Sequence, residues 1–204
     1  MLSIALTRRT LWLLLSFVSA DALASDAAPD TEQANAAYRR ALDAQTRERA
    51  GTTSPLMRSM LDSMKIAAVQ GCQRVDAEQT ACIVKLDAPM RDGYQAYRFR
   101  ADGKGWRIVQ DADTPAPQPT LARAQELIRE HLNALAAQNP DRQKAEEFRR
   151  FAAGLSMTAL NSCQLDRDSG AVECDGQWDS ASEGKGGKPL RFGLNAADWS
   201  LLAD

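Results

Sequence analysis

Gly71-Cys72-Gln73-Arg74-Val75-Asp76 and, much later, Ser162-Cys163-Gln164-Leu165-Asp166 open two stretches that carry the same landmarks in the same order. The first continues with Ala81-Cys82-Ile83-Val84, then Tyr97-Arg98-Phe99, then Trp106-Arg107-Ile108. The second continues with Glu173-Cys174, then Leu190-Arg191-Phe192, then Trp199-Ser200-Leu201. The Cys-to-Cys step is 10 in the first and 11 in the second, and Phe-to-Trp is the same in both. Such order is the signature of an internal duplication, and it predicts two kindred folding units.

Upstream of each cysteine the apolar residues fall at helical spacing. Ala34, Ala37, Tyr38, Ala41 and Leu42 mark a first helix. Ser54 as N-cap and Pro55 as first helical residue start a second, with Leu56, Met57, Met60, Leu61, Met64 and Ala68 as its buried stripe and Gly71 as its stop. In the second stretch Leu121, Ala124, Ile128, Leu132 and Leu135 mark a helix. Asn139-Pro140 starts another, with Phe148, Phe151, Ala152, Leu155 and Ala159 facing inward. Strands are expected near 72–76, 80–87, 94–101 and 105–110, and again near 162–166, 171–178, 189–194 and 198–203. Asp102-Gly103 reads as a type I′ turn that sets Phe99 against Trp106, Tyr97 against Ile108 and Arg98 against Arg107. A turn at Asn195-Ala196 sets Phe192 against Trp199 and Arg191 against Ser200. The expected class is α+β: two tandem repeats, each two helices followed by a four-stranded antiparallel meander sheet. The repeats span 31–110 and 120–204. Between them, 111–119 with Pro115, Pro117 and Pro119 reads as a stiff, extended linker.

Residues 1–24 read as a cleaved signal peptide: Arg8 and Arg9, a short apolar run over 11–18, and an Ala22-Leu23-Ala24 cleavage site. Thr7-Arg8-Arg9-Thr10-Leu11 also resembles a twin-arginine signal. The apolar run is shorter than the ~20 residues of a spanning helix, so no membrane span is expected in the mature chain. Export makes the four cysteines legible as two disulfides. Three connectivities exist; local pairing of Cys72 with Cys82 and Cys163 with Cys174 follows if a hairpin turns near Ala77 and another within Asp166-Arg167-Asp168-Ser169-Gly170. Each short loop closed this way contributes about 2–3 kcal/mol. No Cys-x-x-Cys spacing suggests a redox pair or a metal site, so no metal and no cofactor is expected.

The formal net charge of -2 lacks the basic footprint of a nucleic-acid binder. His131, the one histidine, lies at the edge of a helical stripe and reads as packing. Gly154-Leu155-Ser156-Met157-Thr158 lacks the second glycine of a nucleophile elbow and is expected inside a helix. Gly184-Lys185-Gly186-Gly187-Lys188 is not a Walker A loop and reads as a hairpin loop, with 180–188 as a contact region. Asp166, Asp168 and Gly170 fall short of a calcium loop. Glu146-Glu147 reads as a solvated helix face. No catalytic residue is nominated.

The polar feature that stands out is in the first repeat. Arg98, Arg100 and Arg107 share one sheet face and are the candidate partner-binding residues, with Lys85 and Arg91 nearby. Arginine pairs carboxylates and phosphates bidentately.

The element order of each repeat resembles the small helix-on-curved-sheet modules of the cystatin-like and NTF2-like groups. As a class, a small exported, disulfide-stapled chain without a catalytic cluster resembles periplasmic immunity proteins and lysozyme-type inhibitors. That resemblance implies a non-enzymatic envelope protein in the periplasm (or secreted) that occludes a protein partner, such as a secreted toxin or hydrolase. The alternative is a periplasmic enzyme or small-ligand-binding protein with an NTF2-like pocket.

Overall fold

Asp30 and Gln33 decide where the first helix begins. The Asp30 carboxylate accepts from the Gln33 N–H at 2.8 Å, and the Gln33 amide oxygen accepts from the Asp30 N–H at 3.2 Å. This reciprocal cap satisfies two of the backbone donors that a helix start leaves open. In a computed structural model, which describes residues 28–48, 54–89, 92–103, 105–109 and 115–203, the chain runs α1 (Thr31–Glu48), α2 (Pro55–Ser63), β1 (Lys65–Arg74), β2 (Gln79–Asp87), β3 (Gly93–Asp102) and β4 (Gly105–Ile108). It continues α3 (Leu121–Gln138), α4 (Arg142–Gly154), β5 (Leu155–Leu165), β6 (Val172–Ser180), β7 (Gly184–Asn195) and β8 (Asp198–Leu202). The strands form two separate four-stranded antiparallel sheets, A (β1-β2-β3-β4) and B (β5-β6-β7-β8). The expected leader lies outside the described residues.

The class is α+β, but the expected plan of two equivalent repeats, each with a two-helix layer and its meander, is corrected. The working unit is one helix laid on the sheet that follows it: α1 on sheet A, α3 on sheet B. α2 buries no residue; Leu56 and Met57 are 68% and 51% exposed. α4, by contrast, packs along α3 and buries Ala145 and Ala152. The halves are therefore not clear repeats. The reason is length. Met64 already has extended backbone at the end of α2, so the stripe expected to run on to Ala68 is cut after nine residues, too short to bury a face.

The chain beyond both second helices is strand. β1 starts at Lys65 and β5 at Leu155, well before the first cysteine of each sheet. In β5, Leu155 and Met157 are buried while Ser156 and Thr158 are exposed, the period of two that a sheet imposes. Gly154–Thr158 is thus a helix end running into a strand, not a helix interior. Both strands are bulged: register shifts fall between Ile66 and Ala68 and between Met157 and Ala159. A helix side chain covers each bulge. Asn35 of α1 accepts from the Ile66 N–H at 3.0 Å, and Gln125 of α3 accepts from the Met157 N–H at 2.9 Å.

Two disulfides join Cys72 to Cys82 and Cys163 to Cys174, the local pairing that the spacing predicts. Cys72 and Cys82 are direct cross-strand partners. Each bridge sits beneath the covering helix of its sheet. Cys72, Cys82, Val84 and Phe99 are buried with Ala34, Ala37 and Tyr38 on sheet A. Cys174, Val172, Leu190 and Phe192 are buried with Ala124, Leu127 and Ile128 on sheet B.

Both terminal hairpins are paired two residues away from the expected register. Phe99 faces Ile108 and Ala101 faces Trp106, closing at Asp102 and Gly105. Phe192 faces Leu201 and Leu194 faces Trp199, closing at Asn195 and Asp198. A slide by two keeps every side chain on its expected face, whereas a slide by one would have inverted the sheet. The loop expected at 184–188 is instead the start of β7, paired with β6 from Ser180–Gly184 onward. The described part of the expected linker, 115–119, is not free: Pro117 and Pro119 are buried.

The two sheets meet where the β7–β8 turn reaches β1. Ala196 accepts from the Cys72 N–H at 2.6 Å and donates to the Gln70 carbonyl at 3.0 Å. Gly71 permits the approach, because a Cβ there would stand 2.7 Å from the Leu194 carbonyl oxygen. The β5–β6 turn makes a second contact, its Arg167 carbonyl accepting from the Tyr94 N–H at 2.7 Å. Ile83, on the helix-free face of sheet A, is consequently buried in the core of sheet B.

Gly71→Ala should therefore destabilise by about 1–3 kcal/mol, the usual cost of overpacking, read from urea unfolding; an unchanged midpoint would show that the junction carries no stability. A second expectation concerns pH. Tyr38 and Tyr97 meet in a tilted ring contact with centroids 5.7 Å apart, and burial, with Tyr38 alongside, pushes the Tyr97 phenol well above its ordinary range. Burial likewise raises Tyr38. The unfolded phenols ionise near ~10, so the unfolded state loses protons first. Stability should be full below about pH 10 and fall as pH rises beyond it toward the folded values. Tyr97→Phe should flatten that fall in melting temperature against pH; an identical alkaline fall in the variant would assign it elsewhere.

Candidate functional site

β3 and β4 carry the arginine row. Tyr97 and Phe99 point under α1, so the alternation of the strand turns Arg98 and Arg100 to the opposite, helix-free face. Arg107 joins them from β4, directly across from Arg100. This corrects the expected pairing of Arg98 with Arg107, but all three side chains share the face. Arg98 lies opposite Ala81, and Arg100 is flanked on its other side by Gln79. Lys85 is exposed on the same face, opposite Tyr94; Arg91 lies outside the described residues.

Charge compensation on this row is thin. The Arg100 Nε lies 3.5 Å from a Glu78 carboxylate oxygen, and that carboxylate side chain is 70% exposed. Among the described residues, Arg98 and Arg107 form no ion pair. The Arg98 Nε is buried and unbonded, because Arg98 stands two residues from Ala96, at the margin of the junction that buries Ile83. Like charges directly across a strand pair are destabilising, so the Arg100–Arg107 pair is a cost to the folded chain.

Sheet B shows the contrast. Arg191 precedes Phe192 as Arg98 precedes Phe99, yet it is neutralised. Glu173, its partner on β6, brings a carboxylate oxygen to 3.0 Å of its Nε, close enough for the charges without the alignment of a hydrogen bond. Asp166 lies 3.5 Å from its Nη2 and Ser169 at 3.3 Å. The observed opposite neighbour on β8 is Leu202, not Ser200. Asp166 itself serves its turn: it accepts from the Ser169 hydroxyl at 2.5 Å and the Asp168 N–H at 2.9 Å. These bonds, the Ser169 one first, hold its carboxyl below the ordinary range.

The remaining candidates are placed as follows. Glu146 pairs with Arg149 on the surface of α4. His131 is half-buried on α3 and lines a cleft of about 220 Å³ between α3, α4 and sheet B. Sequence reading missed this cleft, since it is walled by residues distant in the chain. Among the described residues no group of three or more His, Cys, Asp or Glu side chains could hold a metal ion, and no helix is long and apolar enough to cross a membrane. No protein-family model, curated protein or solved structure matches the chain.

The two arginines should respond differently to removal. Arg98→Met should be neutral or slightly stabilising, because it removes a buried donor without a partner. Arg191→Met should destabilise the chain by up to about 1 kcal/mol by leaving its cross-strand partner Glu173 uncompensated. Paired urea titrations test this, and an equal cost at both positions would contradict the proposed difference in compensation.

Proposed function

We propose that the protein is a non-enzymatic, exported binding protein of the bacterial cell envelope. It works in the periplasm, reached through the N-terminal leader, and uses Arg98, Arg100 and Arg107 to hold an anionic surface of a protein partner. The occluded partner is of the toxin or hydrolase kind, so the role is that of an immunity or inhibitor protein. Two disulfides support export, since such bonds persist in oxidising compartments.

One observation carries the reading: Arg100 and Arg107 face each other across a strand pair, and among the described residues the carboxylate paired with Arg100, that of Glu78, is largely exposed. A chain selected for stability alone would place an acid at one of those positions, as Glu173 stands beside Arg191 on sheet B. Arginines held on a strand pair are presented in fixed geometry to a carboxylate-bearing surface, where they supply steering and bidentate hydrogen bonds.

The test separates function from stability. Arg107→Glu puts an acid across from Arg100 and should raise stability by about 0.2–1 kcal/mol. The same change should reduce stoichiometric capture of the partner from envelope extract by about tenfold or more. Capture that is undiminished by Arg107→Glu, or by the triple change that adds Arg98→Glu and Arg100→Glu, would remove this face from the function.

A further inference from the structure

We propose that the cleft between α3, α4 and sheet B is a binding site for a free apolar α-amino acid, held as the zwitterion. The inference is independent of the arginine row, which lies on the other sheet.

The cleft is built rather than left over from packing. Its floor is Trp178 of β6, whose strand partner is Gly186 of β7. A Cβ at Gly186 would stand 2.7 Å from the Trp178 Nε1, so glycine there lets the indole lie against the neighbouring strand. Phe151 of α4 meets the Trp178 ring edge-on, with centroids 6.3 Å apart. Leu132 of α3 and Leu190 of β7 complete the apolar wall. At about 220 Å³ the space exceeds the ~150 Å³ that accommodates a benzene ring. It takes a benzyl, indolyl or branched aliphatic side chain and leaves the attached Cα at the mouth.

The mouth carries both signs of charge. Lys188 of β7 and Glu183 of the β6–β7 turn both line it, together with His131. Lys188 and Glu183 are exposed, and neither forms an ion pair among the described residues. An ammonium and a carboxylate that do not pair with one another, beside one apolar pocket, complement a ligand bearing the opposite pair on a single carbon. The ligand carboxylate faces Lys188, and its ammonium faces Glu183. The imidazole of His131 adds a hydrogen-bond donor or acceptor at the same rim. A simple carboxylic acid would meet Glu183 as a like charge, and a simple amine would meet Lys188 in the same way. The glycines and lysines of 184–188, which form no phosphate loop, thus acquire a role: Gly186 shapes the floor and Lys188 arms the rim.

Calorimetric titration of the full mature chain with L-phenylalanine tests the proposal. Saturable, stoichiometric binding is expected, with phenylacetate and phenethylamine, each lacking one charge, at least about tenfold weaker. Lys188→Glu should weaken L-phenylalanine by a similar factor. Leu132→Trp, which fills the cavity, should abolish binding while the variant retains a cooperative melt. Should Leu132→Trp fail to fold, Glu183→Lys supplies a second rim variant at an exposed position, again expected to weaken binding. The proposal is overturned if L-phenylalanine, L-leucine and L-tryptophan all give no saturable heat at millimolar concentration. It is equally overturned if phenylacetate binds as tightly as L-phenylalanine, or if binding survives in a folded Leu132→Trp variant.

Discussion

The contact that the rest depends on is the seat of the β7–β8 turn against β1. Two backbone hydrogen bonds, at 2.6 and 3.0 Å, join Ala196 to the chain on either side of Gly71. Backbone groups removed from water must be paired, and here one sheet pairs those of the other. The geometry asks something of both partners. Gly71 must lack a side chain, and Ala196 sits at φ 55, a left-handed conformation that costs a non-glycine residue about 1 kcal/mol. In return Ile83 leaves the surface of sheet A and enters the core of sheet B. Two small sheets, each with a thin core of its own, thereby share apolar burial.

That junction also shapes the proposed partner face. Sheet A presents its helix-free side toward sheet B, so the arginine row is graded from half-buried at Arg98 to exposed at Arg107. A guanidinium at the margin of a packed junction is less hydrated than one on an open face, and its attraction for a carboxylate is correspondingly less screened. On sheet B the equivalent arginine is spent within the molecule, on Glu173 and Asp166. The two sheets therefore use one placement for opposite ends. Arg191 ties down a hairpin, whereas among the described residues Arg98 and Arg107 form no ion pair and Arg100 has only the exposed Glu78 carboxylate at 3.5 Å.

The same helix-to-strand device recurs on both sheets. Arg39 of α1 donates to the carbonyls of Leu61, Asp62 and Met64, and Arg129 of α3 donates to that of Leu155 at 2.6 Å. With Asn35 and Gln125 over the bulges, each covering helix fixes the point where its sheet begins. What differs is the second helix. Phe151 gives α4 an aromatic contact with Trp178, and with it a cleft. α2 has no such anchor and remains on the surface, showing Leu56 and Met57 to solvent.

Local chemistry was enough to read the two disulfides from their spacing, and the strand alternation placed Arg98, Arg100 and Arg107 together on one face. Both readings depend on short-range geometry: a hairpin brings nearby cysteines opposite each other, and a period of two survives any even slide. The hairpin registers were not legible. Asp102-Gly103 is good turn chemistry, but pairing closes at Asp102 and Gly105, where Phe99 can be wholly buried. The starts of β1 and β5 were hidden because short apolar runs such as Lys65–Gln70 and Leu155–Leu160 suit helix or strand alike. Only the helix side chains over the bulges, and the neighbouring strand, select the strand. The 220 Å³ cleft and the union of the sheets lay further out of reach. They join residues separated by much of the chain, and the spacing along a sequence contains no distance between elements that meet only after folding.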